Sequence, residues 1–341
     1  MASYAMIKEL REKTDKNGNG YLDLVVIGSD KKEYPAKIWR FDNNGMFAVN
    51  DVIEIEYRAD DYKGKTQLNI TTIKKAPESM ISDFVPSSQY DGKAVFSILM
   101  NKVNNFKDAD LKAIVSDIML EHKEKLEVYP AAYRLHHAIV GGLMLHTASI
   151  VEMAEKICTI YPAINRELLI SGAILHDVAK TFEMNVSKSG LCDGYTVGGE
   201  LIGHLVKGAM YVEESAKKLK IDNEKVLLLE HMIISHHGVP EYGAAKMPMF
   251  LEAEVLSTLD ALDATIYEIT NAVGSVGCGE FTDRQWALDN RKLYNHSLGE
   301  TDHRVNLEKK GEHYGNDQRS RSGQLDRNIG KGKHGGHRHC R

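Results

Sequence analysis

The hydrophobic period of this 341-residue chain changes once, near residue 80, and no other feature constrains the fold as much. Before that point apolar residues alternate with polar ones, the period of a strand with one buried face. After it they recur at i, i+3, i+4 and i+7, the period of an amphipathic helix. One pattern cannot serve both structures, so two regions in series are expected. The length allows one large domain or two of ordinary size.

Four segments of the first region read as strands: YLDLVVIGS from Tyr21, YPAKIWRF from Tyr34, DVIEIEYRA from Asp51 and TQLNITTI from Thr66. They are rich in β-branched and aromatic residues, and the turn clusters DKNGNG, DNNG and DDYKGK separate them. About 70 residues and five short strands would fit a small barrel of the OB type. APESMISDFVPSSQYDG, from Ala76, holds two of the seven prolines and reads as a linker. Helices are expected near 93–106, 108–125, 135–160, 165–183, 199–220, 222–237 and 248–272, with breaks at Tyr161-Pro162, SKSGLCDG and GVPEYGAAKMP. From about His296 the chain has few apolar residues and ends in KGKHGGHRHCR. Such a segment buries too little surface to offset its ordering entropy, so disorder is expected there. The expected fold is multidomain: a small all-β barrel (1–78), a linker (79–92), an all-α domain (93–295) and a disordered basic, His-rich tail (296–341).

Charge narrows the function classes. Forty-three basic and 48 acidic residues give a formal charge of -5. That balance argues against coating nucleic acid by charge alone and leaves a local basic groove open. The first ten residues include charges and lack an apolar core, so no secretory signal is expected. No apolar stretch approaches the roughly 20 residues of a membrane span, and a cytoplasmic location is expected.

The helical region carries an unusual set of side chains: GGLMLHT (His146), AILHDVAK (His176, Asp177, Lys180), GGELIGH (His204), IISHHG (His236, His237) and TLDALDA (Asp260, Asp263). A single histidine on an apolar helix face is commonly a satisfied core residue. Five imidazoles and a carboxylate together are another matter, since each unpaired polar group in a core costs on the order of 1–3 kcal/mol. A shared divalent ion satisfies them at once. Imidazole nitrogen and carboxylate oxygen suit Mn²⁺, Fe²⁺ and related ions, and without a thiolate nearby a structural zinc site is not expected. His176 and Asp177, adjacent on one expected helix, diverge by about 100°, which lets the Asp bridge two metals. Lys180 shares their face and offers a cation for a phosphate oxygen or a water. Its competing reading is an exposed surface lysine.

The order H…HD…H…H…D, centred on HDVAK, resembles the HD-domain superfamily of metal-dependent phosphohydrolases. Carried over by position, the resemblance makes His146, His176, Asp177 and Asp260 core ligands and gives His204 and His236 to a second ion. His237 stays open, because a doublet contributes one ring or both. Relatives with three metals have a Glu one turn before the first His; here that position is Gly142, so two ions are expected. Mn²⁺ is favoured, with Co²⁺ or Fe²⁺ as alternatives. The GYP motif of the cyclic-dinucleotide branch is absent.

A closer resemblance runs to about residue 295. KNGNGYLDLVVI…AKIWRF, SDFVPSS, YRLHHAIVGGLMLHT, LLLEHMIISHHGVPEYGAAKMP, EAEVLSTLDALDA and GEFTDRQWALDNRKLY are similar to the YhaM family of 3′–5′ exoribonucleases, which join an OB-fold to an HD domain. The resemblance implies hydrolysis of single-stranded RNA, and of single-stranded DNA, from the 3′ end by a metal-activated water. It also implies a homo-oligomer, although no sequence feature sets a subunit count. Lys180 and Asp177 are the expected catalytic groups, with His137 or Asp263 as a helper; His136 and His137 could contact the scissile phosphate or terminal sugar, and a plain helix-face role competes for both. On the barrel, Trp39, Arg40, Phe41, Tyr57, Arg58, Tyr62, Lys63 and Lys65 are candidates for strand binding, through stacking and a basic groove. A core role competes for Trp39 and Phe41. Two rival functions remain: an HD hydrolase of a small nucleotide, and a non-catalytic RNA-binding adaptor with a structural metal site.

Overall fold

A computed structural model describes residues 3–62, 65–85, 87–133, 137–187, 189–299 and 305–307. Lys63, His136 and, apart from 296–299 and 305–307, the tail expected from 296 lie outside the described residues. The chain divides into two compact units. One runs to Ser87 and includes Val186–Asp193; the other comprises Ser88–Asn185 and the chain from Gly194.

Five strands build the first unit: β1 (Ser3–Thr14), β2 (Gly20–Gly28), β3 (Glu33–Trp39), β4 (Val52–Tyr62) and β5 (Lys65–Lys75). They close in the order β1-β2-β3-β5-β4, with β4 returning to β1. Among the described residues only β3 and β5 run parallel, pairing Ala36 with Leu68 and Lys37 with Asn69. This is the OB-type barrel the strand texts predict. Alternation turns Leu22, Leu24 and Val26 of β2, Ala36 and Ile38 of β3, and Leu68 and Ile70 of β5 into one core. The fifth strand, β1, has no matching segment in the strand reading. Only Ala5, Met6 and Ile7 are buried in it, and its charged second half, ELREKT, lacks apolar alternation. The expected linker is partly built into the fold, since a 3-10 turn at Glu78–Asp83 leads into buried Phe84 and Val85.

Among the described residues the second unit contains α1 (Gly92–Asn104), α2 (Ala109–Glu121), α3 (Lys123–Leu126), α4 (Gly142–Ile160), α5 (Arg166–Leu175), α6 (Lys180–Glu183), α7 (Val197–Leu219), α8 (Glu224–Ser235) and α9 (Leu251–Gly274). A hairpin of β6 (Met184–Val186) and β7 (Cys192–Tyr195) joins α6 to α7. Helices α4 and α5 are innermost: α5 is buried on every side from Leu168 to Leu175, and α4 from Gly142 to Val151. A helix apolar all round belongs in the middle of a fold. These two helices bring His146 and His176 to the centre. No helix among the described residues is long and apolar enough to cross a membrane.

Three expected helices are interrupted, each at the site. The helix expected over 135–160 starts only at Gly142, because His137 and Gly141 have left-handed φ of 51° and 73°. The one expected over 165–183 ends at Leu175 and resumes at Lys180. His176 therefore caps α5, and Asp177 lies in the following turn rather than within one continuous helix. Helix α7 is kinked at Gly203 (φ 74°, ψ 166°), immediately before His204.

Candidate metal centre

The two oxygens of Asp177 face different pairs of imidazoles. On one side, Asp177 Oδ2 lies 3.3 Å from His176 Nε2 and 3.6 Å from His146 Nε2. On the other, Asp177 Oδ1 lies 3.5 Å from His204 Nε2 and 3.6 Å from His236 Nε2. Asp260 spans the same two sides. Its Oδ1 is 3.1 Å from His146 Nε2 and 4.0 Å from His176 Nε2, and its Oδ2 is 4.0 Å from His236 Nε2. His237 stands next to the second pair, with ring centroids 5.1 Å from His204 and 4.5 Å from His236.

Local structure sets which nitrogen faces inward. His176 Nδ1 donates to Ala173 O at 2.9 Å, and His236 Nδ1 to Ile233 O at 2.7 Å. Both histidines cap a helix, where the last carbonyls are free to accept. Since a carbonyl only accepts, each Nδ1 carries the proton and each Nε2 presents a lone pair. His146 Nδ1 donates to Asp263 Oδ2 at 2.7 Å, and His204 Nδ1 to Glu183 Oε1 at 2.9 Å. The kink at Gly203 frees the backbone N–H of His204, which donates to the same Glu183 oxygen at 3.1 Å. His237 Nδ1 donates to Tyr242 O at 2.8 Å.

Among the described residues, Asp177 Oδ1, His204 Nε2 and His236 Nε2 are buried without a hydrogen-bond partner, and they face one another. Leaving such atoms unmatched costs roughly 1–3 kcal/mol each. One divalent cation satisfies all three, and a nitrogen–oxygen set without thiolate suits Mn²⁺, Fe²⁺ or Co²⁺. The residues present therefore fit a metal ion. Burial pushes His236 down to about 4, which keeps its ring neutral. Burial also lowers His237, helped by the neighbouring His204. Burial opposes charge on Asp177 too, but Lys180 and His176 outweigh it and hold the carboxyl well below the usual range. For His146, hydrogen bonds to Asp260 and Asp263 outweigh burial and raise it to about 10.

The predicted metal-site residues thus gather as a group. Lys180 is no surface lysine: its side chain is 11% exposed, and Nζ sits 2.7 Å from Asp177 Oδ2. His137 is fully buried, 4.4 Å from the Tyr267 ring, with Nε2 2.9 Å from Asp263 Oδ2. In this arrangement His137 is partnered by Asp263. Position 142 admits no side chain, since a Cβ there would sit 2.0 Å from His137 O. Glu183 and Ser149, whose hydroxyl donates to Asp263, escaped the sequence reading. The signal for each was faint: Glu183 lies one turn beyond Lys180, and Ser149 one turn beyond His146.

On the barrel, Trp39 is 49% exposed and stacks on Tyr21 at 4.8 Å. Lys37 Nζ lies 5.2 Å and 5.6 Å from the two rings, and Trp39 Nε1 donates to Asn69 Oδ1 at 3.1 Å. Tyr21 and Lys37 were missed, although β2–β3 register pairs Tyr21 with Trp39, and Lys37 precedes Trp39 by one strand repeat. Phe41, partly buried, packs on the barrel core against Phe47, the core role that competes with base stacking. Arg40, Tyr57 and Arg58 are exposed. Tyr62 and Lys65 form the last β4–β5 pair.

Residues 143–265 match the family model of the HD domain. The chain is 32% identical over 297 residues to the 3′-5′ exoribonuclease YhaM of Geobacillus sp. (strain WCH70), covering 85% of this chain and 90% of that protein. It is 32% identical over 296 residues to the 3′-5′ exoribonuclease YhaM of Bacillus subtilis (strain 168), covering 85% and 93%. Against the protein of that name from Listeria welshimeri serovar 6b, identity is 33% over 298 residues, covering 86% and 94%. No solved structure matches the chain at a significant level.

Proposed function

The chain belongs to the YhaM family of 3′–5′ exoribonucleases, and from that membership we propose that it shortens single-stranded RNA hydrolytically from the 3′ end, at divalent ions held by His146, His176, Asp177, His204, His236 and Asp260. The observation that carries the metal assignment is the division of Asp177, one oxygen toward each imidazole pair. It supports two ions, with Mn²⁺ favoured and Co²⁺ or Fe²⁺ suited to the same donors. His237 adds a third nitrogen on the His204 side.

When bound, such ions acidify a water and hold phosphate oxygens. The chain's own residues orient and charge the site around them. Lys180, anchored by Asp177, supplies a fixed positive charge for the phosphate. The neutral His236 ring keeps a lone pair turned inward. The barrel (1–78) takes the single strand, RNA or DNA, on Trp39, Tyr21 and Lys37, with Arg40, Tyr57 and Arg58 as further contacts, and the helical domain (93–295) cleaves it. Stacking on such a platform is tolerant of sequence. A homo-oligomer belongs to the same reading, supported by exposed Val197 and Leu201 along α7.

The test is a time course on RNA labelled at its 5′ end, with Mn²⁺ and then with chelator. A ladder of steadily shorter labelled products that stops on chelation is expected, and His176→Ala with Asp177→Ala should abolish it. Hydrolysis of free nucleotides alone would favour the small-nucleotide reading. Binding without cleavage under several divalent ions would favour the adaptor.

A further inference from the structure

We infer that Asp263 and Glu183 are a matched pair of positioning carboxylates, one behind each ion subsite, and that each sets the affinity of its own subsite. The inference rests on the proposed metal centre and goes beyond its ligands. Four imidazoles face Asp177, and their outer nitrogens are held in two ways. His176 and His236 donate to backbone carbonyls, whereas His146 and His204 donate to carboxylates. The distribution is one of each kind per side: His176 with His146 on Oδ2, His236 with His204 on Oδ1.

The two kinds of acceptor do different work. A carboxylate makes a shorter, charge-assisted bond, and it raises the basicity of the opposite ring nitrogen. One imidazole on each side is thus the stronger donor to an ion. Both carboxylates are engaged by hydrogen bonds. Asp263 is 3% exposed and has both oxygens occupied, Oδ2 by His146 and His137, Oδ1 by Ser149. Glu183 Oε1 takes both the ring and the backbone N–H of His204. A buried carboxylate is expensive unless its bonds are filled, and Asp263 draws three donors from three separate positions of the chain. His137 and Ser149 hold Asp263, which in turn holds His146. Because Asp263 lies on α9 and Glu183 ends α6, the two supports can be removed independently.

A rival use of the first support exists: His137, His146 and Asp263 bring one ligand atom each within 4.8 Å, which would suit a third ion. The 2.7 Å and 2.9 Å contacts to Asp263 are hydrogen-bond lengths, which favours protons there.

The experiment is a Mn²⁺ titration of the chelator-treated full chain by calorimetry, with bound Mn²⁺ counted by electron paramagnetic resonance. Wild type should bind two ions. Asp263→Asn and Glu183→Gln keep shape and an acceptor oxygen but lose the charge. Each should weaken one ion by roughly 10- to 100-fold and leave the other unchanged, while the double variant weakens both. Equal loss at both subsites in either single variant, no loss, or a third ion in wild type that Asp263→Asn removes would overturn the inference. Wild type binding no ion would sink the metal centre itself, a different result. If Asp263→Asn fails to fold, Ser149→Ala takes its place: a smaller loss confined to the same ion is expected, and an unchanged titration counts against the inference.

Discussion

Lys180 Nζ lies 2.7 Å from Asp177 Oδ2, while the other oxygen of Asp177 faces His204 and His236 at 3.5 Å and 3.6 Å. One carboxylate therefore organises a lysine and four imidazoles. Burial works against charge on Lys180, but Asp177 outweighs it and raises the amine above its ordinary value, so the cation persists across the working pH range.

In the proposed reaction that fixed cation serves the charge that develops on the phosphate. Lys180→Ala should lower kcat on RNA by about 100- to 1000-fold, the usual cost of removing one preorganised electrostatic donor. Steady-state kinetics on an oligoribonucleotide of fixed length would check it. A change confined to KM would place Lys180 in ground-state binding instead.

The kink before His204 depends on Gly203, whose φ of 74° and ψ of 166° lie in a region essentially closed to other residues. Gly203→Ala should cost about 1–3 kcal/mol in urea unfolding, or straighten α7 and turn His204 from Glu183. Either outcome weakens Mn²⁺ binding. Unchanged stability together with unchanged Mn²⁺ affinity would contradict the role given to the kink.

What the sequence reveals of this centre is set by side-chain chemistry. Five imidazoles in apolar helical text are too many for an ordinary core, and for that reason the cluster was legible; the proposed ligand set came from the HD resemblance. The junctions were not. Periodicity reports which face of a helix is buried; it says little about one left-handed residue such as His137 or one kink such as Gly203. The supporting contacts were hidden by distance along the chain, since Asp263 meets His137 across 126 positions. In the barrel, Trp39 and Phe41 would share a face of an unbroken strand. Arg40 between them has φ 54°, so Trp39 stays exposed while Phe41 turns to the core.

That difference separates two phenotypes. Trp39→Ala should weaken binding of a single-stranded oligonucleotide by about 5- to 150-fold, matching about 1–3 kcal/mol for one base-stacking platform, with little change in stability. Phe41→Ala should instead destabilise the barrel by roughly 2 kcal/mol or more. Fluorescence anisotropy and urea unfolding on both variants distinguish the roles, and the reverse pattern would exchange them.

Filling the buried donors should also stabilise the helical unit. At 100 times its dissociation constant, an ion adds about 2.7 kcal/mol. For a unit of this size that raises Tm by roughly 5–10 °C. Thermal unfolding with Mn²⁺, then with excess chelator, should show the rise and its reversal, and His236→Ala should reduce it. An unchanged Tm in wild type would count against a buried ion site.

At the N-terminus of α2, Asp108 couples stability to pH. Its Oδ1 accepts from the backbone N–H of Asp110 and Leu111, capping α2, and Lys225 Nζ lies 2.8 Å from Oδ2. Burial tends to raise its pKa, but Lys225 and the capping amides outweigh burial and hold it below the ordinary 3.8. The folded protein thus releases this proton more readily than the unfolded chain. The stabilisation is complete above the ordinary value and is lost as pH falls through the lower folded one. Asp108→Asn preserves the cap, because Asn and Asp cap about equally well, and removes only the charge. The variant should be less stable at pH 7 by about 0.5–1 kcal/mol, the upper range for a partly exposed pair. In urea unfolding at stepped pH, that gap should begin to narrow near 3.8, where the unfolded chain takes up the proton, and close below the lower folded value, where Asp108 in the folded protein becomes neutral too. A gap that stays constant with pH would mean that the neutral cap bonds, rather than the pairing with Lys225, carry the contribution.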